Sequence, residues 1–164
     1  MQPISILRNG NHHAHVLCFE VLLILGVVFW PILNYVPGSD IPENKKYVTD
    51  FYTLAFVKKH VEEAFAKYVG ENFIQHNPNI PDGKEASIGF LAKFLKDNPQ
   101  ATTTIKRVVA EDNLVAIHSH LKRNPEDRGR AVIDIFRVEQ GKIVEHWDVL
   151  QLIPETASNN NGMF

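Results

Sequence analysis

The chain has 164 residues, of which 45% are hydrophobic and 22% are charged, so it is long enough for one domain with a substantial core. The formal net charge is −2 and no stripe of lysine and arginine follows the chain, which argues against a nucleic-acid partner. Cys18 is the only cysteine, so the composition also excludes an internal disulfide and a cysteine-based zinc site.

The first forty residues differ in composition from the rest. Their apolar run, Val21 to Leu33, is shorter than the roughly 20 residues of a membrane-spanning helix but suits the core of a signal peptide. We therefore expect residues 1–42 to be an export signal or a membrane anchor plus linker, with any tether formed by residues 16–36. An exported, periplasmic or membrane-anchored protein is favoured over a cytoplasmic one. A buried helix added to the domain is the alternative.

Helical periodicity dominates the next part of the chain, after a linker over residues 35–44. Apolar residues recur at spacings of three and four from Lys45 to Val69, with a break near residue 59 or 60. Gly70 is expected to end the second helix as its C′ residue. A short strand, Asn72–His76, and a turn-rich loop then lead to a helix over Lys84–Asp97.

The pattern changes to strands after residue 101. Helices followed by a meander predict an α+β fold, with the helices on one face of an antiparallel sheet. Gly141 lies in a hairpin turn, at a position that needs a positive φ. The domain is expected to cover residues 43–153, and residues 154–164 to form a polar tail. The predicted strands are Thr102–Glu111, Leu114–Lys122, Arg130–Val138 and Ile143–Leu152.

Strand alternation brings several polar side chains onto shared faces. Asp134 lies in the middle of an apolar strand, where a carboxyl group is costly unless it is paired, hydrogen-bonded or neutral. His118 and His120 share one face of the preceding strand. On the last strand His146 shares a face with Asp148, while Trp147 lies opposite. We expect Asp134, at least one of the histidines at 118 and 120, and either His146 or Trp147 to meet in a cavity.

The residues around Asp134 resemble a known family. Val132-Ile133-Asp134-x-Phe136-Arg137, followed by Gly141-Lys142-x-Val144, is similar to the strand–turn–strand of ketosteroid isomerases and the wider NTF2-like superfamily. The fuller set resembles the SnoaL-like polyketide cyclases from residue 43 to the C terminus. This set comprises Phe73-Ile74-Gln75-His76-Asn77-Pro78, Asp82-Gly83, His118-Ser119-His120, Asp134 to Val138 and Gly141 to Val149.

The resemblance implies a fold and an activity. The fold is an NTF2-like, or cystatin-like, cone in which N-terminal helices pack on a curved antiparallel sheet of four to six strands. The activity is a cofactor-independent proton transfer, an aldol-type cyclisation or an isomerisation of a carbonyl substrate through an enolate. Asp134 then acts as acid, base or oxyanion donor, because the matching aspartate of the isomerases stays protonated in an apolar cavity.

The resemblance also shows a missing group. The isomerases place a basic aspartate before a proline, and here Asn77 or His76 takes that position, depending on the alignment. Steroid isomerisation itself is therefore disfavoured. His76 becomes the candidate base, since an imidazole is poised near neutral pH, and His120 the candidate orienting or oxyanion partner.

The remaining predictions concern the pocket and its partners. A small apolar or carbonyl-bearing molecule is the expected ligand, with no nucleic acid and no metal or other cofactor, and a homodimer through the outer sheet face is expected. A metal site built on His118 and His120 with Asp134 or His76 is the weakest alternative. A non-catalytic binding or scaffolding module, with Asp134 as a structural anchor, stays open. The predicted pocket residues are Tyr52, Asn77, His118, His146 and Trp147.

Overall fold

The computed structural model describes residues 41–164, which belong to one unit of the chain. The apolar run at residues 21–33, the predicted tether at 16–36 and most of the predicted linker lie outside the described residues. Within residues 41–164, no helix combines the length and the apolar character needed to cross a membrane.

Three helices and a π-helical turn precede the meander. Helix α1 covers Ile41–Tyr52, the π-helical turn covers Thr53–Val57, α2 covers Val61–Tyr68 and α3 covers Lys84–Asp97. The predicted break is confirmed, because Lys59 has a φ of 64° between the π-helical turn and α2. Helix α3 has the predicted limits.

Two local predictions were wrong. The last four residues of the predicted linker are the first turn of α1, where Pro42 is tolerated because the first helical N–H groups have no intrahelical partner. Gly70 does not end α2 in a left-handed conformation. Helix α2 ends at Tyr68, its C-cap residue Val69 is already extended, and the chain continues directly into strand β1, Val69–Gln75.

The five strands form one sheet in the order β1-β5-β4-β3-β2. The expectation of an entirely antiparallel sheet was wrong, because β1 pairs in parallel with β5. A parallel neighbour needs a long connection rather than a hairpin, and here the whole chain from β1 to β5 supplies it. The other strands are β2, Thr102–Glu111, β3, Leu114–Lys122, β4, Arg130–Glu139, and β5, Lys142–Leu152.

The α+β class and the NTF2-like fold are confirmed: three helices pack on an open, mixed five-stranded sheet. The β4–β5 turn has positive φ at both Gln140 and Gly141, the geometry that matches the twist of a two-residue hairpin. Phe51 of α1 is the centre of the core. Its ring makes edge contacts with Phe65 of α2 and Phe136 of β4 at centroid distances of 5.4 and 5.5 Å.

The helices cover one face of the sheet, so the side chains on that face are the ones that reach the core. On β4, Val132, Asp134 and Phe136 are all buried, as predicted. On β3 the buried set is Val115, Ile117 and Ser119. His118 and His120 therefore lie on the outer face.

Candidate active site

A cavity of about 610 Å³ lies between the helices and the sheet. This volume is typical of a small-molecule site. Apolar side chains of the helices and of β1 line much of it, including Phe56, Phe73, Phe90, Leu91 and Phe94. Its polar lining includes Tyr52, Asn77, Asp134, His146 and Asp148.

Asp134 is the centre of a buried hydrogen-bond network and is 4% exposed. The hydroxyl of Tyr52, at the end of α1, donates to Asp134 Oδ2 at 2.7 Å. On the other side, His146 Nε2 lies 3.1 Å from Asp134 Oδ1. Ser119 of β3 is 2.9 Å from the Tyr52 oxygen, and because Tyr52 gives its own proton to Asp134, Ser119 is the donor there. Both carboxyl oxygens of Asp134 are therefore hydrogen-bonded.

Gln75, at the end of β1, determines which nitrogen of His146 carries a proton. Gln75 Oε1 accepts a hydrogen bond from the backbone N–H of Asn77 at 2.9 Å, so this atom is the oxygen. His146 Nδ1 lies 3.0 Å from the same oxygen and must donate to it. Gln75 Nε2 in turn donates to Ser87 Oγ at 3.2 Å. The backbone N–H of Asn77, in the β1–α3 loop, thus orients the Gln75 amide, and the amide oxygen keeps the proton on His146 Nδ1.

The contact between His146 Nε2 and Asp134 Oδ1 therefore contains one further proton. An imidazole lone pair facing a carboxylate at 3.1 Å would be repulsive, so the pair is either imidazolium and carboxylate or imidazole and carboxylic acid. In both forms the two buried groups share a proton, and both residues line the cavity. Such a pair is equipped to donate a hydrogen bond or a proton.

Asp148 supplies a second carboxylate beside this pair. It is directly opposite Asp134 in the β4–β5 register and lines the cavity. The side-chain amide of Asn77 donates to both of its oxygens, at 2.9 and 2.7 Å. Asn77 is one of the two residues that take the place of the isomerase base, so here the amide at that position holds a carboxylate from another strand.

The surroundings disfavour ionisation of Tyr52. Burial, together with the negative charge of Asp134, raises the pKa of the Tyr52 hydroxyl well above its usual value of 10. Tyr52 consequently remains a hydrogen-bond donor to Asp134 across the whole physiological pH range.

The predicted site residues divide into two groups. Tyr52, Asn77, Asp134 and His146 line the cavity, whereas the other four predicted residues are not among its lining. On the outer side, His76 stacks on Trp147 at a centroid distance of 4.8 Å, and its Nε2 lies 2.7 Å from Glu145 Oε1. Burial raises the pKa of Glu145, but hydrogen bonds from His76 and Arg137 outweigh it and lower that pKa below its usual value.

The expectation that His118 or His120 faces the cavity was wrong. His118 Nδ1 lies 2.8 Å from an Arg107 side-chain nitrogen, and His120 Nε2 lies 2.8 Å from the backbone oxygen of Arg128. Both rings contact the C-terminal Phe164, at centroid distances of 5.3 and 4.7 Å. These contacts place both histidines on the side of β3 opposite Ser119.

Three polar residues of the network escaped the sequence prediction: Gln75, Ser119 and Asp148. Asp148 had a usable signal, because it alternates with His146 on one face of the last strand. Ser119 also alternates with residues that proved to be core, but a serine is not recognisable as a hydrogen-bond partner without Tyr52 beside it. Gln75 lies in the segment that resembles the SnoaL-like proteins, but nothing in the sequence distinguished its side chain as a partner of His146.

The same cluster is the place where a metal ion would fit. Among residues 41–164, Asp134, His146 and Asp148 each offer a ligand atom, and these atoms lie within 4.8 Å of one another. The set predicted as an alternative, based on His118 and His120, is not assembled. A cation at the observed cluster would displace the proton that His146 and Asp134 share, since Nε2 and Oδ1 would become ligands.

Fold and site together define the class of this protein. The protein has an NTF2-like α+β architecture, in which helices pack on an open mixed sheet. The two layers enclose a cavity with a buried carboxyl group at its wall. The family model of the SnoaL-like domain matches residues 48–146, and the chain therefore belongs to this family. No curated protein matches the chain.

Solved structures agree with this assignment. A candidate polyketide cyclase from Bacillus cereus ATCC 10987 is 26% identical, with a TM-score of 0.57 over 66% of this chain and 74% of its own. A candidate ketosteroid isomerase from Kribbella flavida is 14% identical, with a TM-score of 0.60 over 75% and 88% of the two chains. An NTF2-like protein of unknown function from Cytophaga hutchinsonii is 17% identical, with a TM-score of 0.54 over 66% and 89%. The last two show the fold alone.

Proposed function

We propose that this protein is an enzyme of the cyclase and isomerase type, which removes a proton next to a carbonyl group and works through an enolate. One observation carries the proposal: the buried Asp134–His146 pair shares a proton beside a second carboxylate, Asp148, at the wall of an apolar cavity. Two titratable groups in different environments can differ in pKa, which allows one to act as an acid and the other as a base.

Asp148 is the base of the proposed reaction. It is less buried than Asp134, and the only side-chain hydrogen bonds it accepts among residues 41–164 come from Asn77. The C–H bond next to the substrate carbonyl breaks, its proton passes to a carboxylate oxygen of Asp148, and its electron pair becomes the enolate. Asn77 keeps the carboxylate oriented while it accepts the proton.

The Asp134–His146 pair is the acid. As negative charge develops on the carbonyl oxygen, the shared proton is available to that oxygen from His146 or Asp134. Preorganised donors of this kind are more effective in a water-poor, apolar site, because little reorganisation accompanies the reaction. The hydroxyl of Tyr52 and the amide oxygen of Gln75 hold the two members of the pair in position.

The fate of the enolate decides the product. Return of the proton from Asp148 to a different carbon gives an isomer. Attack of the enolate carbon on a second carbonyl forms a new carbon–carbon bond, and the resulting alkoxide takes the proton, which is an aldol-type cyclisation. Neither outcome changes the oxidation level of the substrate as a whole, so no electron acceptor is required.

The proposal is tested by deuterium exchange at the α-carbon of 2-tetralone in D₂O, followed by NMR. The wild-type protein should accelerate exchange over buffer, and Asp148→Asn and Asp134→Asn should each lose about 10²-fold or more of that acceleration. His118→Gln, on the outer sheet face, is the matched control and should retain it. Exchange that survives in both folded aspartate variants would contradict the mechanism.

A second candidate function is favoured by the same cluster. If Asp134, His146 and Asp148 instead hold a divalent cation as a Lewis acid, dialysis against EDTA should abolish exchange and Zn²⁺ should restore it. The proton-transfer proposal makes the opposite prediction, with exchange unaffected by EDTA and inhibited by added Zn²⁺.

A further inference from the structure

Two arginine side chains line the cavity away from the Asp134 network. Arg130 is the first residue of β4 and Arg123 follows the end of β3, and both contribute to the cavity lining with Thr103 and Leu121. Leu121 is the register partner of Arg130, so the two arginines leave adjacent strands at the same end of the sheet.

The guanidinium groups of Arg123 and Arg130 differ from those of the other arginines in the described chain. Within residues 41–164, neither forms a hydrogen bond or an ion pair, and Arg130 Nε is a buried donor with no partner. A buried donor without an acceptor is rare and costly, and calls for an explanation. The other three arginines bind protein acceptors: Arg107 with His118, Arg128 with Ile153 and Glu155, and Arg137 with Glu139 and Glu145.

The local electrostatics also favour an anion. Burial lowers the pKa of Arg130, the nearby charge of Arg123 lowers it further, and Asp127 partly compensates. Asp127 does not neutralise the pair, because its two oxygens accept backbone N–H groups of Arg123 and Gly129, both at 2.8 Å. Two cationic groups with uncommitted donors therefore remain at the cavity wall.

The spacing of residues along β4 gives the distance between the two arginines and the proposed acid, the Asp134–His146 pair. Arg130, Val132 and Asp134 alternate on the cavity face of β4 and all line the cavity. Four residues along a strand correspond to about 13 Å between the Cα atoms of Arg130 and Asp134. An extended ligand can thus present one end to the arginines and the other to Asp134 and Asp148.

We propose that the cavity binds a substrate with an oxyanion group, held by Arg130 and Arg123, at the end opposite its reacting carbonyl. The substrate class is a keto acid or the phosphate monoester of a carbonyl compound, since both groups accept paired N–H donors of guanidinium. The inference rests on the proposed function only for the reacting end of the substrate. Binding of the anionic end can be tested without turnover.

The test is calorimetric titration of the full chain with three probes: 3-benzoylpropanoate, its methyl ester and 2-phenylethyl phosphate. The wild type should bind at least one of the two anions at least tenfold more tightly than the ester, and the preferred anion identifies the oxyanion chemistry. Arg130→Gln should lose at least tenfold in affinity for that anion and stay within twofold for the ester. Arg128→Gln, an exposed arginine of the same loop, is the matched control.

Arg123→Gln is the second variant, since Arg123 is exposed and its replacement leaves the fold intact even if Arg130→Gln does not fold. It should also weaken the anion selectively. Equal affinity of the anions and the ester, no measurable binding of either anion, or equal losses in the Arg128→Gln control would overturn the inference. Such a result leaves deuterium exchange by Asp148 and Asp134 unaffected, so the two proposals fail separately.

Discussion

At the scale of single residues, the position of one proton depends on a chain of neighbours. The backbone N–H of Asn77 donates to Gln75 Oε1, which shows that this atom is the amide oxygen. Because that oxygen is an acceptor, His146 Nδ1 must carry a proton. The contact between His146 Nε2 and Asp134 Oδ1 then needs a second proton. Each step follows from donor and acceptor geometry. Asp134 was predicted as the proton-handling residue, but its partner is His146 rather than His76 or His120.

Tyr52→Phe tests the network by its effect on stability. The variant removes the donor to Asp134 Oδ2 and should lower the free energy of unfolding by about 1–3 kcal/mol at pH 7. Because the pKa of Tyr52 is raised in the folded protein, its contribution is complete below about pH 10, where the unfolded tyrosine ionises, and decreases as the pH rises further. Urea unfolding at pH 7, 9 and 11 should therefore show a difference between wild type and variant that shrinks only above pH 10. A constant difference would contradict the assignment.

At the scale of strands and loops, alternation identified the two faces of each strand but not which face the helices cover. On β4 the apolar residues identified the buried face, and Asp134 was placed correctly on it between Val132 and Phe136. On β3 the polar residues misled, because Ser119 is buried against Tyr52 while His118 lies outside. A polar residue that finds a partner can be core, and strand pattern alone contains no information about that partner.

The loop before β4 depends on Gly129, which carries Arg130 to the cavity wall. Gly129 has a φ of +86°, and a Cβ there would lie 2.4 Å from the backbone oxygen of Leu121 and 2.6 Å from His120 Nε2. We expect Gly129→Ala to lower the free energy of unfolding by about 1–3 kcal/mol.

The matched control is Gly89→Ala in α3, where a Cβ meets nothing within 4 Å. That change should be neutral or stabilising by about 0.5–1 kcal/mol, as alanine is the better helix former. Chemical denaturation of the two variants measures both effects. Equal stability of the two would show that the Gly129 loop tolerates a side chain.

At the scale of the whole molecule, the cavity and the outer face of the sheet have separate roles. The Asp134 network faces the cavity, while the outer face is covered in part by the C terminus. Phe164 contacts His118 and His120, and Lys106 Nζ lies 5.0 Å from its ring centre. Val109 and Val149 remain well exposed on this face. The homodimer expected through it stays a prediction.

The docking of Phe164 should be visible in the titration of His118. Burial lowers the pKa of His118, and the charges of Arg107 and Lys106 lower it further. A depressed pKa means that the neutral ring stabilises the fold above about pH 6.5 and that this contribution is lost as the pH falls. Phe164→Ala should raise the pKa of His118 toward 6.5 in an NMR titration, and Phe164→Leu should raise it less. An unchanged titration in both variants would exclude contact between the tail and His118.

The α+β class, the limits of α3, β2 and β3, and the place of Asp134 in a buried strand could all be predicted from the sequence, because they follow from periodicity and turn chemistry within short segments. The resemblance of those segments to SnoaL-like proteins was equally local. Helix α2 and β1 show the limit: Gly70 suggested a left-handed helix end, whereas the chain passes from α2 directly into β1 at Val69.

The direction and neighbour of β1, the buried face of β3 and the hydrogen-bond partners of Asp134 could be read only from the folded structure. Each of these depends on contacts between residues far apart in the chain, such as Tyr52 with Asp134, Gln75 with His146 and Asn77 with Asp148. Hydrogen bonding depends on distance and direction to within a few tenths of an ångström, and no pattern along a single strand contains that information. The second carboxylate, missing from the sequence motif, is therefore found on the neighbouring strand.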